Sequence, residues 1–273
     1  MLRLAVVCFV VFALDTLAVE IIAHRGASHD APENTLASVQ LGWERNADAV
    51  EVDVYLSKDG KIVVIHDENT KRTTGYDGLV HKMTWAQLQK LDAGSWKNKK
   101  FKGEPIPSLS QVLKTIPDGR HLVIEVKCGT EIIKPLSELL RKTKTPPIKT
   151  AIISFSYDVV VAAKKQFPKR RVYYLSGVKQ NKTTLRWEPS VESLIKKARD
   201  AGLDGLSLGF KTGVNDSTLP DYINRMRRDT KLQKLGFYVW TVNDLRIAKV
   251  FAKAGVDGIT TDRPALLKAV KRK

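Results

Sequence analysis

Nine short runs of strand-forming residues recur along the chain, at residues 20–24, 49–56, 62–66, 122–127, 151–155, 172–175, 205–208, 237–242 and 258–261. Between most of them lie segments with apolar residues at helical spacing: Leu36, Val39 and Trp43; Val191, Leu194, Ile195 and Ala198; Ile247, Val250, Phe251 and Ala254. Strands alternating with helices imply a parallel sheet covered by helices. The second and third runs break the rule. Only residues 57–61, with the turn-forming pair Asp59 and Gly60, separate them, too few for a parallel crossover. The third run must turn back as a hairpin or continue as an irregular loop. Setting it aside leaves eight parallel strands, the number that closes an α/β fold of the (β/α)8 barrel type. A chain of 273 residues can be one such domain, and a hydrophobic content of 43% supplies an ordinary core. Residues 68–107, with Gly75, Gly78, Gly94 and Gly103, are too long for a βα loop and are expected to form a small cap over one end of the barrel.

Residues 1–18 carry Arg3, an apolar run from about Leu4 to Leu14, and small residues Thr16 and Ala18 at cleavage-site spacing. They read as a secretory signal peptide, leaving a mature chain of residues 19–273 exported to the periplasm or the medium. The run is shorter than the ~20 residues a bilayer span needs, so no transmembrane segment is expected after processing. Val7 before Cys8 is not the small residue that a lipoprotein site requires. Removal of the signal leaves Cys128 as the one cysteine, so stability must come from packing rather than from an internal disulfide. The net charge of +17 is distributed over several short clusters instead of one tail. Solvated helix faces account for most of it, while peripheral contact with anionic surfaces remains open and no specific nucleic-acid partner is implied.

Some strand positions carry the wrong chemistry for a core. Alternation puts Glu51 and Asp53 on one face and Val50, Val52 and Val54 on the other; residues 122–127 repeat this, with Glu125 and Lys127 opposed to Ile124 and Val126. In a barrel the valines face the helices and the three carboxylates converge inside the C-terminal mouth, where barrel active sites lie. Clustered buried carboxylates are costly, and one divalent cation relieves both desolvation and mutual repulsion. An all-oxygen set suits Mg²⁺ or Ca²⁺. The competing reading is a buried ion-pair network with Arg25 and Lys127. His24 and His66, each at the end of a strand-like run, could share general acid and base roles, and Arg25 and Lys127 suit a phosphate. The inventory matches metal-assisted cleavage of a phosphodiester.

The stretches AHRGASHDAPENTLAS (residues 23–38), VEVDVYLSKDGKIVVIHD (50–67), VIEVK (123–127), ISFS (153–156), VWTVN (239–243) and DGITTDRP (257–264) closely resemble the glycerophosphodiester phosphodiesterase family. The resemblance implies a TIM-type barrel with an insertion after the His-Asp motif. It assigns Glu51, Asp53 and Glu125 to the metal, His24 and His66 to proton transfer, Arg25 and Lys127 to phosphate, and Trp240 to a wall of the alcohol pocket. Asn34 and Thr35 fit the start of a helix and are read as structural. The implied reaction takes a small anionic glycerophosphodiester, such as glycerophosphocholine or glycerophosphoethanolamine, to sn-glycerol 3-phosphate and an alcohol. Rival readings are a lipase on the same barrel, of the sphingomyelinase D or phosphatidylinositol phospholipase C type, and a non-enzymatic binder of anionic polymers. Oligomeric state is left open.

Overall fold

The structure is a computed structural model that describes residues 19–210 and 218–270; the expected signal peptide lies outside the described residues. The strands are β1 (Glu20–Ala23), β2 (Ala49–Leu56), β3 (Ile62–Val64), β4 (His121–Val126), β5 (Thr150–Ser154), β6 (Arg171–Gln180), β7 (Trp187–Glu188), β8 (Gly205–Phe210), β9 (Gly236–Trp240) and β10 (Gly258–Thr261). Eight of them, all but β3 and β7, pair in parallel in the order β1-β10-β9-β8-β6-β5-β4-β2, and β2 pairs back with β1 to close the barrel. β3 turns back antiparallel onto β2, with Val54 opposite Val64, so the third run is the hairpin alternative.

The helices are α1 (Leu36–Glu44), α2 (Lys71–Thr74), α3 (Trp85–Leu88), α4 (Leu109–Leu113), α5 (Ile133–Lys142), α6 (Tyr157–Gln166), α7 (Val191–Asp200), α8 (Leu219–Leu232) and α9 (Leu245–Ala254). Side chains that accept first-turn amides set several of the starts: Thr35 for α1, Ser156 for α6, Ser190 for α7 and Asp244 for α9. The expected apolar stripe of α7 is buried along its whole length, from Val191 to Ala198. That of α9 is narrower than its spacing suggests, for Val250 is 46% exposed.

Three apolar clusters form. The largest lies between barrel and helices and includes Val50, Val52 and Val54, the outward residues of β2. A second fills the bore with Ile22, Ala49, Val123, Ala151, Ile153, Tyr173, Leu175 and Tyr238. Tyr173 and Tyr238 meet there with ring centroids 4.8 Å apart, giving the mouth a solid floor. The third belongs to β3 and the insertion: Val63, Ile65, Val80, Met83, Leu88, Ala93 and Ile106. The insertion is therefore a lobe with a core of its own, and its Trp96 and Lys97 reach one side of the mouth.

Candidate active site

Period-2 alternation in β2 and β4 turns Glu51, Asp53 and Glu125 into the bore, and parallel register sets Asp53 directly beside Glu125. All three are buried, Asp53 completely. One oxygen from each lies within 4.8 Å of the others. Burial, then the neighbouring Asp53 and Glu125 carboxylates, hold the Glu51 carboxyl well above the usual carboxylate range. Glu125 is raised in the same direction, by burial first and then by Asp53.

The chain leaves β1 in a tight loop that serves this cluster. Arg25 and Gly26 both have left-handed backbone, with φ of 55° and 80°. A side chain at Gly26 would lie 2.3 Å from the Ser38 backbone, so only glycine fits. The turn aims the Arg25 amide at Glu51 Oε2 (2.9 Å). Its guanidinium lies 2.8 Å from Glu33 and 3.3 Å from Asp53 Oδ2. Asn34, also left-handed at φ 59°, clamps Asp53 twice: its Nδ2 donates to Oδ2 at 2.7 Å and its Oδ1 accepts the Asp53 amide at 3.1 Å. Thr35 is the helix cap expected of it, whereas Asn34 positions a carboxylate.

Lys127 projects from just beyond β4, its Nζ 2.8 Å from Glu125 Oε1 and 3.6 Å from Asp53 Oδ1. Burial would lower its pKa, but these carboxylates outweigh that and raise it. The ion-pair network with Arg25 and Lys127 thus exists, yet it does not satisfy the cluster. Glu51 Oε1 and Asp53 Oδ1 remain buried without a hydrogen-bond donor. Two orphaned carboxyl oxygens, in reach of a third carboxyl group, are a fitting donor set for a hard divalent cation.

Each histidine is held from behind by a carboxylate. His24 Nδ1 is 2.6 Å from Asp262 Oδ1, and His66 Nδ1 is 2.6 Å from Asp67 Oδ1. An ionised carboxylate only accepts, so Nδ1–H donates and Nε2 is left to face the site. Asp262 sits in a polar pocket where burial is overcome by His24, Asn243 and Ser28, which keep it well below the usual carboxylate range. Asp67 is likewise pulled down to about 2, burial being overcome by Arg72 and His66. Nε2 of His66 is 3.2 Å from Lys127 Nζ and accepts from that ammonium.

Burial lowers the pKa of His66, and Asp53 and then the hydrogen bond to Asp67 push it partly back up. Asp67→Asn removes the second of these pushes, so the imidazole should stay neutral to still lower pH. An NMR titration of the His66 ring checks this; a pKa that rises or stays put in the variant contradicts the coupling.

Over the cluster lies a cavity of about 170 Å³, walled by Phe155 and Trp240 and edged by His24, Arg25, His66 and Lys127. The two aromatic rings meet edge to face, centroids 5.4 Å apart. The Trp240 ring lies so close over Gly209 that a Cβ there would be 2.5 Å from it, and its Nε1 is buried without a partner. All eight residues singled out by sequence are therefore brought to one mouth. Asn34, Asp67, Arg72 and Asp262 join them as positioning residues that the sequence reading did not select. Asp67 and Asp262 were visible within the motifs IHD and TTDRP, but nothing local paired them with the histidines.

The site occupies the C-terminal mouth of a TIM-type barrel, where enzymes of this fold carry out their chemistry, and its relatives place it among the phosphoric diester hydrolases. The chain belongs to the glycerophosphoryl diester phosphodiesterase family, whose sequence profile matches residues 24–266. A glycerophosphodiester phosphodiesterase of Caldanaerobacter subterraneus subsp. tengcongensis is 34% identical over 262 residues, covering 93% of this chain and 98% of its own. YhdW of Bacillus subtilis, provisionally named for the same activity, is 36% identical over 249 residues, 89% of this chain and 94% of its own. Among solved structures, a phosphodiesterase of Oleispira antarctica in complex with the product sn-glycerol-3-phosphate superposes with a TM-score of 0.78 at 29% identity, covering 93% of this chain and 96% of its own.

Proposed function

We propose that the protein hydrolyses glycerophosphodiesters to sn-glycerol 3-phosphate and an alcohol. Glu51, Asp53 and Glu125 would hold one divalent cation, Mg²⁺ or Ca²⁺. Bound there, the ion supplies Lewis-acid stabilisation of phosphoryl oxygen charge. Arg25 and Lys127 offset further charge on the phosphate, and Trp240 walls the pocket for the organic part of the substrate. One imidazole, through Nε2, takes a proton from the attacking nucleophile, either water directly or the neighbouring glycerol hydroxyl with water then opening the cyclic phosphate, while the other delivers a proton to the departing alcohol oxygen. Asp67 and Asp262 keep the two rings in the tautomer and orientation this requires.

The observation that carries the reading is the pair of buried, donorless oxygens on Glu51 and Asp53 between two histidines backed by carboxylates. The test is release of sn-glycerol 3-phosphate from glycerophosphodiesters by the purified protein, with and without chelator. Turnover that survives complete chelation would reject the metal, and absence of release would reject the activity.

The reaction is proposed to take place outside the cytoplasm, on the strength of the leader-like residues 1–18. No helix among the described residues is long and apolar enough to cross a membrane. Exported protein should begin at Val19 and lack Cys8. An intact mass that retains residues 1–18 in extracytoplasmic material would contradict this.

A further inference from the structure

Residues 94–103 of the insertion, GSWKNKKFKG, form a loop with four lysines, two aromatic residues and no acidic one. The loop is braced from within. Asp92 at its neck accepts from the amides of Gly94, Ser95 and Gly103, each at 2.9 Å, and from Ser95 Oγ at 2.6 Å. The Trp96 Nε1–H donates to the Ala93 carbonyl (2.8 Å), and the Lys100 amide donates to Asn98 Oδ1 (3.0 Å). A side chain at Gly94 would collide with the Phe101 carbonyl, so glycine lets the two arms of the loop close on each other. The result is a held projection: residues 95–103 are exposed except for the half-buried Lys97 and Phe101.

The two flanking acids, Asp92 and Glu104, leave an excess of positive charge and belong to the frame of the loop; Glu104 accepts the Ala37 amide of α1 at 3.0 Å. The carboxylates of the adjoining mouth are engaged elsewhere, Glu33 by Arg25 and Arg72, and Asp262 by His24, Ser28 and Asn243. Lys99, Lys100 and Lys102 are exposed and, among the described residues, pair with no carboxylate. Cations also lie against both rings. The Arg72 guanidinium and the Lys97 ammonium are 5.9 and 5.8 Å from the centroid of Trp96, and the Lys100 ammonium is 4.8 Å from that of Phe101. Trp96 is nonetheless 40% exposed. Rings clasped by ammonium groups suit the headgroup zone of a membrane, where amphipathic ring and cation both find partners.

From this loop we infer that the protein docks on anionic phospholipid surfaces through residues 96–102. Charge complementarity supplies the main attraction, since lysines within a Debye length of a negative leaflet are drawn to it. The two aromatic residues choose a lipid surface over a soluble polyanion, which would leave their apolar area unused. Trp96 and Lys97 also edge a cavity shared with His24 and Arg25, so docking brings the mouth of the site beside the headgroups. The inference concerns where the protein sits and stands apart from the phosphodiesterase reading.

The experiment is co-sedimentation of the purified protein with vesicles of phosphatidylcholine alone and of phosphatidylcholine mixed equally with phosphatidylglycerol. The wild type should bind the mixed vesicles, ignore the neutral ones, and release as ionic strength rises. Each exposed lysine near such a surface contributes roughly fivefold in binding. The triple variant Lys99→Glu, Lys100→Glu, Lys102→Glu should therefore bind roughly 100-fold more weakly or worse, and the corresponding triple change to glutamine should lose about half as much on a logarithmic scale. Trp96→Ala should weaken binding about threefold. The control is Lys134→Glu, Lys249→Glu, Lys253→Glu, three exposed positions on α5 and α9 that change the net charge equally; it should stay within a few-fold of the wild type. Equal losses in the two glutamate triples would mean that overall charge, and not this loop, drives binding, and would overturn the assignment. So would a wild type that ignores the mixed vesicles, or one that ignores them while capturing soluble polyphosphate through the same lysines.

Discussion

Glu51→Gln is expected to reduce turnover by roughly 10²–10³-fold or more, the scale of losing one element of transition-state charge stabilisation, while leaving the fold intact. The reasoning is local. Glu51 uses Oε2 to accept the Arg25 amide and leaves Oε1 buried and unpaired. A glutamine oxygen can keep the first contact. Its amide nitrogen then places a donor where an anionic oxygen faced Asp53 and Glu125, which relieves repulsion in the ion-free protein. The apo variant should therefore melt at the same temperature as the wild type or higher, and titration calorimetry with Mg²⁺ and Ca²⁺ should show affinity lost. A variant that binds the ion normally, or that melts well below the wild type, would mean that Glu51 is a structural partner of Arg25 and not a ligand.

The second large effect concerns the histidines. Replacing His24 or His66 by alanine should lower kcat by roughly 10²–10⁴-fold, the usual contribution of a positioned acid or base, with a smaller effect on KM. Lys127→Ala should behave differently, raising KM together with any fall in kcat, because its charge meets phosphate in ground and transition states alike. Steady-state kinetics on a glycerophosphodiester separates the patterns. Near-normal kcat in His66→Ala would assign that ring to packing beneath the insertion.

Much of this site could be read before any coordinates, for a physical reason. A strand alternates its faces every residue, so carboxylates at Glu51, Asp53 and Glu125 amid valines and isoleucines advertise an inward polar cluster. The strand–helix rhythm specified the barrel in the same way, and the short link at residues 57–61 specified the hairpin. What stayed hidden depends on contacts between distant parts of the chain. Asp262 meets His24 only because β10 closes against β1. Arg72, besides its local bond to Asp67, reaches Glu33 only because the insertion folds back over the β1 loop. Asn34 looked like part of a helix start, and its grip on Asp53 needs a left-handed backbone that no periodicity announces. The strand β7 has two residues, too few to leave a pattern. Val250 fits a helical stripe by spacing but points outward because the buried face of α9 is narrower than that stripe.

The placement of His66 also bears on how the protein fails. Glu51, Asp53 and Glu125 stand on strands of the closed barrel, whereas His66 follows β3, outside the ring of parallel strands, on a lobe with its own small core. That lobe is fastened to the β1 loop in part through the Arg72–Glu33 pair, whose arginine is exposed and whose carboxylate is largely buried, so that salt weakens it from the arginine side. A satellite unit of this kind can open while the barrel stays closed. On warming, and sooner at high ionic strength, activity should then be lost ahead of the main melting transition and return on cooling. Hydrogen exchange should show amides of the lobe opening while those of β2 and β4 stay protected, and the inactivated protein should still bind the divalent cation proposed for Glu51, Asp53 and Glu125.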